Sequence, residues 1–179
     1  MSTSHSVSKF RGRVIEVSVD EVVLPNGRRT ELEVVHHPGG AAVVALDRER
    51  RVCLLRQYRY VAHGWVWELP AGKLEPSEPP LVTAQRELVE EAGVSARHWR
   101  SLGTLLSSPG VFNEIVHLYL ARDLSAVAAA PEASEVFEVH WVPFDEACAR
   151  AASGDICDAK TALGLLRALH QNAAAGGDS

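Results

Sequence analysis

The chain has 179 residues, 46% apolar and 23% charged, enough for one well-buried domain; this excludes a disordered tail protein and a disulfide-stapled miniprotein. A formal charge of −5 argues against nucleic acid or an anionic membrane as partner, since both select basic surfaces. The surplus is local: between Glu68 and Glu91 six carboxylates (Glu68, Glu75, Glu78, Glu87, Glu90, Glu91) face two bases (Lys73, Arg86), which places −4 of the −5 there.

Residues 1–8 are polar, lack an apolar signal core and are expected to be disordered, and no apolar run reaches the ~18 residues of a membrane span, so a cytoplasmic protein is expected. Residues 9–37 alternate in the strand manner around Pro25-Asn26-Gly27, a hairpin signal because Asn and Gly tolerate positive φ; they predict a small antiparallel sheet. His37-Pro38-Gly39-Gly40 breaks that pattern and opens a main domain expected over 38–170. Short strands are predicted at 41–46, 52–55 and 65–69, then a proline-rich loop to Pro80. From 80 to 92 the period turns helical, with Leu81, Ala84, Leu88 and Ala92 in one ~80° stripe, prolines at the first turn and Gly93 to end it. Strands at 102–106, 115–121 and 136–142, and helices at 145–152 and 158–170, complete the domain, with 171–179 expected as a mobile tail. Strands mixed with three helices predict an α+β layered sandwich. Cys53, Cys148 and Cys157 have no metal-type spacing and read as reduced thiols in core or helix.

The helix at 80–92 carries the chemistry. Glu87, Glu90 and Glu91 occupy an arc beside its apolar stripe, where neighbours three or four apart repel by roughly 3 kcal/mol at an effective dielectric near 20. Arg86 can pair with Glu90, but a lone guanidinium does not neutralise three carboxylates, whereas Mg²⁺ or Mn²⁺ would. A solvated acidic face is the alternative from the helix alone. The surrounding spacing decides: Gly72, then Glu78, then Arg86-Glu87-Leu88-Val89-Glu90-Glu91-Ala92-Gly93-Val94 resembles the signature of the Nudix hydrolases at every defined position.

That resemblance implies the Nudix α/β/α sandwich with a mixed sheet, preceded by the small N-terminal antiparallel sheet, and metal-dependent cleavage of a nucleoside diphosphate linked to another group. It implies Glu87 and Glu91 as metal ligands with Glu90 alongside, the carbonyl of Ala71 as a further ligand, and two or three Mg²⁺ or Mn²⁺ ions. Arg86 would orient the carboxylates and Glu78 would organise the loop. Leu55-Arg56-Gln57-Tyr58-Arg59, Trp67 to Lys73, Ser108-Pro109-Gly110-Val111 with Glu114 and His117, and Asp158-Ala159-Lys160-Thr161 resemble the ADP-ribose pyrophosphatase branch, with Pro109 as its mark. The branch implies hydrolysis of ADP-ribose to AMP and ribose 5-phosphate by in-line attack of water, and a homodimer that exchanges residues 9–37. Another nucleotide-sugar or dinucleotide diphosphate, or a non-catalytic nucleotide-sensing role, is the alternative.

Arg56 and Arg59 flank Gln57-Tyr58 directly after a core strand, where a guanidinium can fork onto a diphosphate. Glu68, at a strand end, could accept ribose hydroxyls or help hold metal. The general base expected of the branch lies on a late loop, with Glu135 favoured over Glu132 by its spacing to Phe137-Glu138-Val139. Asp158 reads as a helix N-cap.

Overall fold

The computed structural model describes residues 3–129 and 136–175, with side chains over 5–129 and 136–171. The chain divides into two units, Met1–Gly39 with Leu106–Ile115, and Gly40–Leu105 with Val116–Ser179.

The first unit is built on β1 (Thr3–Arg11), β2 (Glu16–Val23) and β3 (Arg29–His36), an antiparallel sheet in the order β1-β2-β3. The β2–β3 turn uses the Asn-Gly pair as expected. Gly27 sits at φ +80°, its N–H donates to the Leu24 carbonyl at 2.8 Å, and Asn26 Oδ1 accepts the Arg28 N–H at 3.0 Å. β1 corrects the sequence reading, which left residues 1–8 disordered. Val7 pairs with Val19 and Arg11 with Glu16. This edge is made of main-chain bonds between exposed residues, so Ser, His and Lys serve as well as apolar side chains and no burial pattern marks it. Residues 108–113 of the same unit lie along β3, the Val35 N–H bonding Val111 O at 2.7 Å and the Asn113 N–H bonding Val35 O at 3.1 Å.

The second unit contains β4 (Gly40–Ala45), β5 (Arg51–Arg59), β6 (Gly64–Glu68), β7 (Ala71–Lys73), β8 (Val94–Leu106), β9 (Ile115–Ala126) and β10 (Phe137–Pro143). They form a mixed sheet, β7-β4-β9-β8, in which β4 runs parallel to β9 and antiparallel to β7, and an antiparallel sheet, β10-β5-β6. A 3₁₀ turn, Tyr60–Ala62, joins β5 to β6. β4 explains the layering. Every one of its residues is buried, so both faces must be covered. Ala41, Val43 and Ala45 meet Ala84 and Leu88 of α1 (Pro80–Ala92), while Ala42 and Val44 join the cluster that holds Phe144 and Ala147 of α2 (Phe144–Ser153) and Leu165 and Ala168 of α3 (Ala159–Ala175). Helices thus cover both sheet faces, the α+β sandwich read from the sequence.

α1 follows its predicted bounds. Pro79 and Pro80 open it, and Gly93 closes it at φ +63° with its N–H on the Val89 carbonyl at 3.1 Å. β8 starts eight residues earlier than expected, because Arg97, His98 and Arg100 face outward and hide the alternation. α3 extends five residues into the expected tail. Cys157 is exposed, whereas Cys53 and Cys148 are buried. No helix among the described residues is long and apolar enough to cross a membrane.

Candidate active site

Helical period decides which carboxylate is buried. Glu91 stands three and seven positions beyond Leu88 and Ala84, both fully buried, so the face that packs onto β4 carries Glu91 with it, and its exposure is 3%. A buried carboxylate is costly unless it is bonded. Glu91 Oε2 accepts the N–H of Ala71 at 2.8 Å, tying α1 to the first residue of β7. Its charge also reaches β5, where burial first and Glu91 second push the Cys53 thiol up to about 12.

One turn earlier, Glu87 lies against Gly72. A Cβ on Gly72 would stand 1.7 Å from Glu87 Oε1, so only a glycine leaves room for this carboxylate on the β7 backbone. Arg86 then answers the repulsion expected along the helix. Its Nη1 donates to Glu87 Oε1 at 2.8 Å and Glu90 Oε2 at 3.0 Å, its Nε to Glu78 Oε1 at 3.2 Å, and its Nη2 to Glu78 Oε2 at 3.2 Å and the Lys73 carbonyl at 3.3 Å. One guanidinium therefore touches three carboxylates, more than the single pair with Glu90 anticipated from spacing. Arg86 bonding, then the Thr83 hydroxyl at 2.7 Å, hold the Glu78 carboxyl down at about 2. The Glu78 bond raises Arg86 above its ordinary range.

Glu78, Glu87 and Glu90 share Arg86, and Glu91 lies beside them on the Ala71 N–H, so four carboxylates gather at one end of α1 and its preceding loop. Among the described residues no group of three or more His, Cys, Asp and Glu side chains is arranged to hold a metal ion, and Glu87 and Glu90 are drawn onto Arg86. The donor set nevertheless fits a hard divalent cation: carboxylate oxygens from one helix face beside the backbone of Ala71 and Gly72, with a Gly72 cradle that a Cβ would fill.

A second charged cluster adjoins it in the same unit. Glu68, 3% exposed, is forked by Arg59 (Nε to Oε1 at 2.6 Å, Nη2 to Oε2 at 2.8 Å) and touched by Lys160 Nζ at 2.5 Å. Burial alone would raise the Glu68 carboxyl, but Arg59 and Lys160 overturn that and hold it below its usual range. Asp158 caps the start of α3, accepting the Thr161 N–H at 3.0 Å, and binds Lys160 Nζ at 3.0 Å. Thr161 Oγ1 in turn accepts the Leu69 N–H at 2.8 Å. Arg59 feels the charge of Glu91, so the two clusters are electrostatic neighbours.

Arg56 stands on the opposite face of β5 from Arg59, against Trp65 at 5.3 Å and Glu138 at 3.7 Å, since alternation separates residues 56 and 59. Pro109 and Glu114 belong to the first unit, where Glu114 lies 3.2 Å from His37 Nδ1. Glu132 and Glu135 lie outside the described residues. In the sequence Lys160 stands out only as part of the Asp158-Ala159-Lys160-Thr161 stretch. Its approach to Glu68, 92 positions away, leaves no local signal.

Comparison with known proteins finds a family match and close relatives. Residues 36–161 match the NUDIX domain family, whose members generally use divalent metal ions. The chain is 40% identical over 158 residues to the methanol dehydrogenase activator of Bacillus methanolicus, covering 87% of this chain and 85% of that protein. It is 39% identical over 158 residues to the ADP-ribose pyrophosphatase of Bacillus subtilis strain 168, with the same coverage. A crystal structure described as an ADP compounds hydrolase superposes with a TM-score of 0.82 at 20% identity, covering 99% of this chain and 96% of that one, which shows the fold. With a family match across most of its length and relatives this similar, the chain belongs to the Nudix family.

Proposed function

We propose that this chain hydrolyses the diphosphate of ADP-ribose to AMP and ribose 5-phosphate. The observation that carries the reaction class is the seating of Glu87 and Glu91 on Ala71 and Gly72, a hard-oxygen donor set beside a basic cluster. The likeness to the Bacillus subtilis ADP-ribose pyrophosphatase supports the substrate.

Glu87 and Glu91, with Glu90 and the Ala71 carbonyl, would hold two or three Mg²⁺ or Mn²⁺ ions. Bound there, the cations would stabilise charge developing on the diphosphate oxygens and acidify a water. Arg86 keeps the helix carboxylates apart and aimed. Arg59, anchored on Glu68, offers its remaining guanidinium edge to a phosphate oxygen. Glu135, with Glu132 as alternative, takes the proton of the attacking water onto its carboxylate. Pro109 and Glu114 are read as substrate-side residues. Arg56, on the other face of β5 from Arg59, is read as a further substrate-side arginine. The reading extends to a homodimer that exchanges residues 9–37 and works in the cytoplasm. The acidic net charge supports a small metal-bridged anion as partner rather than nucleic acid or a membrane.

The test is a panel of ADP-ribose, UDP-glucose, GDP-mannose, NADH and diadenosine polyphosphates with Mg²⁺, with products identified in ¹⁸O water. ADP-ribose is expected to lead and to give AMP. A preference of about 100-fold for another substrate overturns the choice.

A further inference from the structure

Two cations contact the buried Glu68 carboxylate. Arg59 alone satisfies both Glu68 oxygens as a fork, yet Lys160 adds a second cation to Oε2 from the start of α3. The three differ in side-chain exposure: the Glu68 side chain is 4% exposed, that of Lys160 18% and that of Arg59 40%. Glu68 and Lys160 thus form the inner part of the cluster, and Arg59 forms its outer edge. Nε and Nη2 of Arg59 are spent on Glu68, and among the described residues Nη1 has no hydrogen-bond partner.

The geometry points to Lys160 as a positioning residue for Arg59, acting through Glu68. With Arg59 as sole counter-charge, Glu68 would hold the guanidinium as a closed ion pair, and an incoming phosphate would compete with a buried carboxylate for it. Lys160 shares that carboxylate, so Arg59 keeps its geometry on Glu68 while part of its charge and its Nη1 donors remain available to an anion. The ammonium itself is held in place by Asp158 at 3.0 Å, and Asp158 is fixed by its cap bonds to Thr161. Thr161 also binds the Leu69 N–H, so α3 reaches the strand end that carries Glu68 by two independent links, Lys160 to Glu68 and Thr161 to Leu69. The Asp158-Ala159-Lys160-Thr161 stretch is thereby more than a helix cap: it sets the ligand-binding state of an arginine on β5.

This inference rests on the diphosphate hydrolase reading, and the two fail separately. Wild-type protein that cleaves nothing in the substrate panel defeats that reading. The test of Lys160 uses whichever panel substrate wild type cleaves best. Lys160→Met is expected to raise KM for it by ~10-fold with kcat changed by less than ~3-fold, the pattern of lost substrate binding rather than lost chemistry. Lys160→Arg, which keeps a cation near Glu68, is expected to recover most of that loss. The deciding comparison is a double-mutant cycle with Glu68→Gln, which keeps the shape and removes the charge that Lys160 shares. In the Glu68→Gln background, Lys160→Met is expected to leave KM unchanged within ~2-fold. A full ~10-fold KM effect persisting in that background overturns the positioning role, because Lys160 would then contact substrate itself. A KM unchanged by Lys160→Met in the wild-type background also overturns it. Thermal melting of each variant is recorded alongside, and if Lys160→Met does not fold, Lys160→Gln enters the same cycle with the same two deciding outcomes.

Discussion

Two charged clusters of the second unit solve opposite problems with similar parts. Around Arg86, one guanidinium is divided among Glu78, Glu87 and Glu90, and Glu91 is buried beside them on a backbone N–H. Around Glu68, two cations, Arg59 and Lys160, meet two carboxylates, Glu68 and Asp158. The first arrangement gathers several carboxylates around one guanidinium, and the second pairs two cations with two carboxylates. Placed as neighbours, they suit the two halves of a metal-bridged diphosphate: a cation on the acidic helix face, and phosphate oxygens toward Arg59. The contrast explains how a chain with net charge −5 can take an anionic substrate, since the charge balance that matters is local.

The largest effect is expected where the acidic side is most committed. Glu91→Gln keeps an acceptor for the Ala71 N–H but removes the buried charge, so kcat should fall by at least ~100-fold with little change in melting temperature. Chelation of divalent ions should abolish wild-type turnover, and added Mg²⁺ should restore it. Gly72→Ala is expected to act without unfolding the protein, because the atom its Cβ meets is the mobile end of Glu87. Displacing that carboxylate should weaken divalent-ion affinity by roughly 10–100-fold at nearly constant stability. If Gly72→Ala instead unfolds the protein and the folded fraction binds metal normally, the cradle is structural.

On the basic side, Arg59→Lys exchanges a fork for a point charge and should raise KM by ~10-fold while kcat holds. An unchanged KM would remove Arg59 from the phosphate site. The smallest effect concerns pH. Glu78 is depressed from 4.5 to about 2 by Arg86, then Thr83, so the stability it contributes is fully present above about pH 4.5 and is lost as pH falls through about 2. The stability difference between wild type and Glu78→Gln, measured by urea unfolding, should therefore narrow as pH drops from 5 toward 2. A difference that stays constant across that range would contradict the Arg86–Glu78 assignment.

How much could be read from the sequence follows from the range of each interaction. α1 was legible because its stripe, its opening prolines and Gly93 lie within fifteen consecutive residues. The run of β4 was legible because burial on both faces leaves no polar position. β1 was missed because its exposed edge imposes no side-chain pattern, and β7 because three residues, Ala71 to Lys73, are too few to show one. In the site, Glu87, Glu90 and Glu91 declared themselves through helical spacing, and the Arg86 fork was foreseen only as a pair. That Arg56 and Arg59 stand on opposite faces of β5 follows from strand alternation, which their nearness in the chain hides. Lys160 was not assigned a role, because its contact with Glu68 depends on α3 returning to the end of β6.

The central claim is that the acidic helix face of α1 is a divalent-cation site whose occupancy depends on Glu91. A titration of wild type and Glu91→Gln with Mn²⁺, following the paramagnetic resonance of the free ion and without substrate, tests it most directly. The account predicts saturable binding by wild type and binding at least ~10-fold weaker in the variant. Equal affinity in the two proteins would contradict it.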